Sequence, residues 1–270
     1  MFNLQYSNRK PNGRVEIDRR HPLAPDRRLY LFNEQHPRIS RELVKGADGD
    51  YVGDQTSILW QVASGVKGIY NNNIDGGRLR IPDLVLSSSI PWTVTACIKS
   101  DAATNRSVFV SQTAGSGANY IQALNGTRLR YRAITSTTDF TGITDFTKPT
   151  FVSITHNGSQ NIRAYQDGVF AGGANPGMST ITLQEFFRYS ATFEFAGNIY
   201  YFAVHSRQLS DGEIMLLHRA PYSFLRDATV RVFVEPPAAP VGGRIMSSLA
   251  HHGGLAGMGG IAGQGGGLAA

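Results

Sequence analysis

The chain has 270 residues, a net charge of +6 and 41% hydrophobic residues, enough for a core in one large all-β domain with extensions or in two small domains. Its basic excess is spread along the chain rather than gathered on one element, which argues against a nucleic-acid partner. A single cysteine, Cys97, excludes an intramolecular disulfide, and without a run of ~18 apolar residues no membrane-spanning helix is expected.

Residues 1–28 are polar, basic and interrupted by Pro11, Pro22 and Pro25, and read as an extended N-terminal arm. Met1-Phe-Asn-Leu-Gln-Tyr6 has no basic-then-apolar leader, so secretion is not expected. Leu29-Tyr-Leu-Phe32 reads as a first strand, and residues 33–56, rich in charge, Gly and Asp, as loop. Short apolar pieces follow at Ile58–Trp60 and Gly68–Tyr70, and then Leu79, Ile81 and Leu84.

From Trp92 the strand pattern is regular: Trp92–Lys99, Ser107–Ser111, Asn119–Leu124 and Arg128–Ile134. Thr135–Thr147 reads as a polar loop anchored by Phe140 and Phe146. Phe151–His156 and Ile162–Gln166 are strands, closed by Asn157-Gly158 and Asp167-Gly168. With Asn125-Gly126 these are three two-residue hairpin signals, because a type I′ turn needs positive φ at both central residues. After a Gly/Pro loop come Ile181–Leu183, Phe186–Tyr189 and a long strand Phe193–His205, with Gly197 as a bulge or close approach. Ser210-Asp-Gly-Glu213 is a capping box opening the one convincing helix, which Pro221 ends. Thr229–Val234 reads as a last strand. The composition then shifts: three prolines, and 11 glycines between Gly242 and Gly267. Such a segment buries too little apolar surface to order itself, so residues 236–270 are expected to act as a tail clamped by a partner.

The order of these elements resembles the laminin-G-like, concanavalin-A-like family. Trp92–Lys99 is similar to its opening strand, Ile162–Phe170 to its Tyr-x-Asp-Gly hairpin, and Phe195–Val204 with Gln208–Ile214 to its strand and helix near the close. The resemblance implies an all-β fold: an antiparallel jelly-roll sandwich over residues 29–235, with one short helix between the arm and the tail. His21-Pro-Leu-Ala-Pro25, Leu29–Glu34 and Ala220–Arg226 are further similar to laminin-G-like proteins encoded beside tailed-phage structural genes. The chain departs from that pattern at Cys97, where Trp is common, and in its long Gly-rich tail.

No nucleophile–base set stands out, and Glu185, Glu194 and Glu213 form no recognisable acid/base pair, so catalysis is not expected. Asp48, Asp50 and Asp54 form the densest carboxylate cluster. It fails the EF-hand pattern at Val52 and Leu59, so a solvated turn is the expectation and a Ca²⁺ site the alternative; no other cofactor is implied. His251 and His252 are too few for a metal site and read as tail contacts. Tyr120, Tyr131, Tyr165, Tyr189, Tyr200 and Tyr201 offer sugar-stacking platforms, with core packing as the default. Gly253 and Gly257 have the spacing of a helix-pairing motif, but an extended strap suits their glycine-dense setting better.

The expectation is therefore a surface decoration, fibre or adhesion protein of a tailed-phage virion. It would assemble with other virion proteins and with copies of itself through Arg19, Arg20, Arg27 and Arg28 in the arm and His251, His252, Gly253 and Gly257 in the tail, and would contact host-surface glycans. A free bacterial lectin, or a glycan-degrading enzyme on the same sandwich, are the alternatives.

Overall fold

A computed structural model describes residues 15–32, 39–52, 58–63, 66–72, 77–101, 108–112, 119–124, 128–133, 136–143, 145–159, 161–175, 179–190 and 193–227. The chain divides into two units, Met1–Thr229 and Val230–Ala270, and the described residues all belong to the first. The strands begin with β1 (Val15–Ile17), β2 (Arg28–Tyr30), β3 (Ile39–Ser40), β4 (Gly49–Val52), β5 (Ile58–Ala63), β6 (Val66–Asn71) and β7 (Arg78–Leu86). Next come β8 (Trp92–Ser100), β9 (Val108–Ser111), β10 (Tyr120–Leu124), β11 (Arg128–Ala133), β12 (Ser136–Phe140), β13 (Thr150–His156), β14 (Ile162–Gln166) and β15 (Val169–Ala174). The remainder are β16 (Ile181–Phe186), β17 (Arg188–Ser190), β18 (Phe193–Glu194), β19 (Gly197–His205), the helix α1 (Asp211–Arg219) and β20 (Leu225–Asp227).

Two large antiparallel sheets face each other. The front sheet has the order β12-β11-β10-β9-β16-β7-β4-β3; the back sheet has the order β15-β14-β13-β8-β19-β6-β5, with β2 also paired to β19. One cluster fills the space between them, taking Leu79, Ile81, Ile121, Leu129 and Phe186 from the front and Val94, Ile98, Val152, Ile154 and Phe202 from the back. Phe186 meets Phe202 edge to face with ring centres 4.9 Å apart, an arrangement the ring quadrupoles favour. Phe186 and Phe187 are consecutive yet both buried; a left-handed φ of 72° at Phe187 turns the second ring back inward.

The back sheet is covered on its other face too. A second cluster joins Phe151, Tyr165, Tyr201 and Ala203 to Ile214 and Leu217 of α1 and to Ile17, Leu23 and Leu29. Burial on both faces explains why β13 and β19 are buried at every residue. The α1 helix is placed as its sequence requires: the Ser210 side chain accepts the Glu213 N–H, and the Glu213 carboxylate accepts the Ser210 N–H. Arg207 holds that carboxylate bidentately, and together these bonds lower its pKa to about 2.

Several expectations are corrected. Residues 15–28 are not an extended arm: β1 pairs with β20, and the segment covers the back sheet. His21–Ala24 is a tight turn closed by the Ala24 N–H on the His21 carbonyl. Its Pro22 and Leu23 carbonyls accept from Arg207 and from His205 Nε2. Leu23 and Ile17 supply apolar anchors, and neither is part of a periodic run, so the sequence pattern hides them. Residues 33–56 hold β3 and β4, and Thr135–Thr147 holds β12, three short strands whose polar residues resemble loop. Phe140 and Phe146 are buried as anticipated. The run Phe193–His205 is broken after Glu194. Gly197 is indeed a close approach, because a β-carbon there would lie 2.0 Å from the Lys99 carbonyl oxygen. The last described strand is Leu225–Asp227; Thr229–Val234 and the Asn125-Gly126 turn lie outside the described residues. The Asp167-Gly168 turn has positive φ at both residues, 51° and 83°, as a type I′ hairpin demands.

Candidate functional site

The front sheet's outer face is polar, and its composition follows from strand alternation. Leu79 and Ile81, Tyr131 and Ala133, and Ile121 point into the core, so their neighbours Arg80, Arg132 and Tyr120 point outward. Directly paired residues share a face. The registers therefore align one row across seven strands: Thr137, Arg132, Tyr120, Ser111, Glu185, Arg80 and Asp50. Beside it runs a shorter row of Asp139, Arg130 and Gln122.

Glu185 reaches this face because of a register shift. Leu183 and Phe186 are both core residues, although strict alternation would put them on opposite faces. The irregularity between Leu183 and Glu185 reverses the phase and aims the carboxylate outward, which is a known use of a bulge. Glu185 is 0% exposed. Arg78 Nε lies 3.4 Å and Arg80 Nε 3.8 Å from its Oε1, and neither carboxylate oxygen accepts a hydrogen bond.

The rest of the face is more conventionally paired. Arg130 holds Asp139 bidentately at 2.6 and 2.8 Å, which draws the Asp139 pKa down, and Arg128 stands 3.9 Å away. The Arg132 guanidinium sits 5.6 Å from the centre of the Tyr120 ring. Five guanidiniums (Arg78, Arg80, Arg128, Arg130 and Arg132) thus share the surface with the carboxylates of Asp50, Asp139 and Glu185. Such a face can grip a polyhydroxylated or partly anionic ligand through many directional bonds.

The residues anticipated from sequence are scattered. Asp48 is engaged locally, accepting the Glu42 N–H at 2.8 Å. Asp50 belongs to the polar row, and Asp54 lies outside the described residues. Among the described residues no group of three His, Cys, Asp or Glu side chains could hold a metal. Arg19 and Arg20 line a cleft of about 620 Å³ beside the β1–β20 ribbon, where Arg226 pairs with Glu16 and Arg19 donates to the Val44 carbonyl. Arg27 donates to Val85 and Arg28 toward Asp83, fastening the segment to the end of β7. His251, His252, Gly253 and Gly257 lie outside the described residues. Tyr120, Tyr131, Tyr165, Tyr200 and Tyr201 are all buried; Tyr189's side chain is outside the description. Burial pushes the phenols of Tyr131, Tyr200 and Tyr201 well above their ordinary pKa. Cys97 is half-buried against the second cluster.

Sequence reasoning missed the face itself. Arg128-Leu-Arg-Tyr-Arg132 and Arg78-Leu-Arg80 carry arginine at every second position, a visible sign of one basic strand face. Glu185 gave no such sign, because the register shift that exposes its face is not written in the local pattern.

No family model matches the chain, and no curated protein matches it by sequence. Solved structures do. Domain 4 of AbnA, a GH43 extracellular arabinanase from Geobacillus stearothermophilus in complex with arabinotriose, aligns with a TM-score of 0.57 at 12% identity, covering 76% of this chain and 100% of that one. The binding domain of Paraclostridial Mosquitocidal Protein 1 gives 0.56 at 12% identity, covering 72% and 51%. Trypanosoma rangeli sialidase in complex with sialic acid gives 0.53 at 13% identity, covering 71% and 32%. The chain thus spans all of the first, about half of the second and about a third of the third. At these identities the likeness establishes the fold: an antiparallel β-sandwich of the jelly-roll-like class. No helix among the described residues is long and apolar enough to cross a membrane.

Proposed function

We propose that this protein is a lectin-like adhesion module that binds glycans on the outer face of its front sheet without altering them. The observation carrying this reading is the in-register polar row from Arg132 to Asp50, with a buried carboxylate at its middle. Sugars are bound by many directional hydrogen bonds to planar polar groups, and arginine and carboxylate side chains held on a rigid sheet supply them at low entropic cost. The arabinotriose complex of AbnA domain 4 supports a carbohydrate as the ligand class. A glycosidase would need two carboxylates flanking one bond. On this face Asp139 is occupied by Arg130 and Asp50 is exposed, which favours binding over cleavage.

The setting we propose is a tailed-phage particle, with the terminal extensions as attachments to other virion proteins or to further copies. Val15 pairs with Asp227, so the first and last described residues of the sandwich are neighbours. Multiple copies would turn weak single-site binding into useful avidity. A free bacterial lectin is the alternative. The test is a glycan array with the full chain, alongside mass spectrometry of purified particles. Hits that weaken tenfold or more in Arg130→Ala/Arg132→Ala, with the protein present in particles, are expected. An array without hits would overturn glycan binding. Absence from particles, or unchanged incorporation after deletion of 236–270, would overturn the virion role or the anchoring by that tail, respectively.

A further inference from the structure

Two buried glutamates in this protein are treated in opposite ways. Glu42 accepts four backbone N–H groups, from Leu29, Val44, Lys45 and Ala47, at 2.6 to 3.3 Å. Glu185 is buried just as deeply, but both of its oxygens are without a hydrogen bond. Its two arginine neighbours approach only Oε1, at 3.4 and 3.8 Å, and Arg78 Nε is itself without a hydrogen-bond acceptor. A buried ionised carboxylate is costly unless its lone pairs are used, and a nearby charge alone does not use them. Buried polar atoms left open in this way call for an explanation, and a ligand is one.

The missing partners define the ligand. Two carboxylate oxygens can accept from two O–H groups on adjacent carbons, while the Arg78 and Arg80 N–H groups can donate to oxygens of the same molecule. A neutral sugar ring offers both kinds of group within a few ångströms. A sialic or uronic acid would bring its own carboxylate against Glu185, a like-charge contact in a desolvated place. The Arg80 side chain is half exposed, so it can move aside to admit the ring. Resting on the glycan-binding reading above, we propose that Glu185 is the hydroxyl-accepting centre of a subsite for a neutral sugar residue with vicinal hydroxyls, flanked by Arg78 and Arg80.

The test uses isothermal titration of the full chain with neutral arabino-, galacto- and gluco-oligosaccharides and with sialylated and uronate oligosaccharides. Wild type should prefer a neutral sugar. Glu185→Gln should lose at least tenfold in affinity while remaining folded, as a cooperative melting transition would show. Monodeoxy analogues of the best neutral ligand, lacking one of the paired hydroxyls, should bind wild type at least tenfold more weakly, and this readout needs no variant to fold. If no oligosaccharide of either class binds wild type, the glycan reading itself falls. If sugars bind but acidic ones are preferred, or neither Glu185→Gln nor the deoxy analogues change affinity, the subsite is wrong and the broader reading stands. A melting temperature that falls in Glu185→Gln with affinity unchanged would make Glu185 a structural ion-pair residue.

Discussion

The Glu42 carboxylate accepts the backbone N–H of Leu29 at 2.7 Å across 13 residues of chain, and so fastens β2 to the turn that precedes β4. The same side chain holds Val44, Lys45 and Ala47. Glu42→Ala should leave several amides without acceptors and cost about 3 kcal/mol, with Glu42→Gln intermediate because one oxygen remains. Urea unfolding of the two variants, read by tryptophan fluorescence, measures both losses.

Gly197 and Gly212 should respond to alanine in opposite directions. At Gly197, with φ of 145°, the new β-carbon would meet the Lys99 carbonyl at 2.0 Å, where β19 pairs with β8. The expected loss exceeds about 4 kcal/mol, enough to unfold many domains. A β-carbon at Gly212 meets nothing within 4 Å in the first turn of α1, so Gly212→Ala should stabilise by about 0.5–1 kcal/mol. Calorimetric melting temperatures decide both.

Stability should fall steeply with acid before the carboxylates titrate. His205 is buried, and desolvation lowers its pKa from 6.5 to about 4 despite the Leu23 carbonyl and the nearby Asp26 and Glu213. Its neutral form is therefore favoured in the fold, while the unfolded chain takes up a proton near pH 6.5. This contribution is complete above the unfolded pKa and is lost as pH drops toward 4, by roughly 3 kcal/mol in all. Burial lowers the pKa of His21 and His156 in the same direction. His205→Gln should flatten the slope of unfolding free energy between pH 6.5 and 4.5; an unchanged slope would contradict this origin.

Asp167 serves the hairpin twice: it holds the left-handed φ of 51°, and its Oδ1 accepts the Phe151 N–H at 3.0 Å. Asp167→Asn keeps both features and should cost under about 0.5 kcal/mol, whereas Asp167→Val loses both and should cost about 2 kcal/mol. Chemical denaturation of the pair compares them directly.

These residues also show what can be read locally. Asp167-Gly168 and the Ser210–Glu213 box are legible because their physics is contained within four residues. The second cover of the back sheet is not, because Ile17 and Leu23 find their partners about 200 residues away in Phe224 and Leu225. Strands β3 and β4 were hidden for a related reason: at two and four residues they are too short to show a period. In the candidate site, the alternating arginines of β7 and β11 could be seen in advance. Glu185 could not, since its outward direction depends on how β16 slips against β7.

The pairing of Val15 with Asp227 has a topological consequence. Paired residues of this kind are about 5 Å apart between their α-carbons, so the sandwich begins and ends at almost one point. A surface loop of an unrelated protein could be opened there and the whole unit spliced in, with the flanks of the host loop barely separated. The architecture is that of a portable insert, which can be carried into new surroundings as a unit while the polar row on its front sheet travels with it intact.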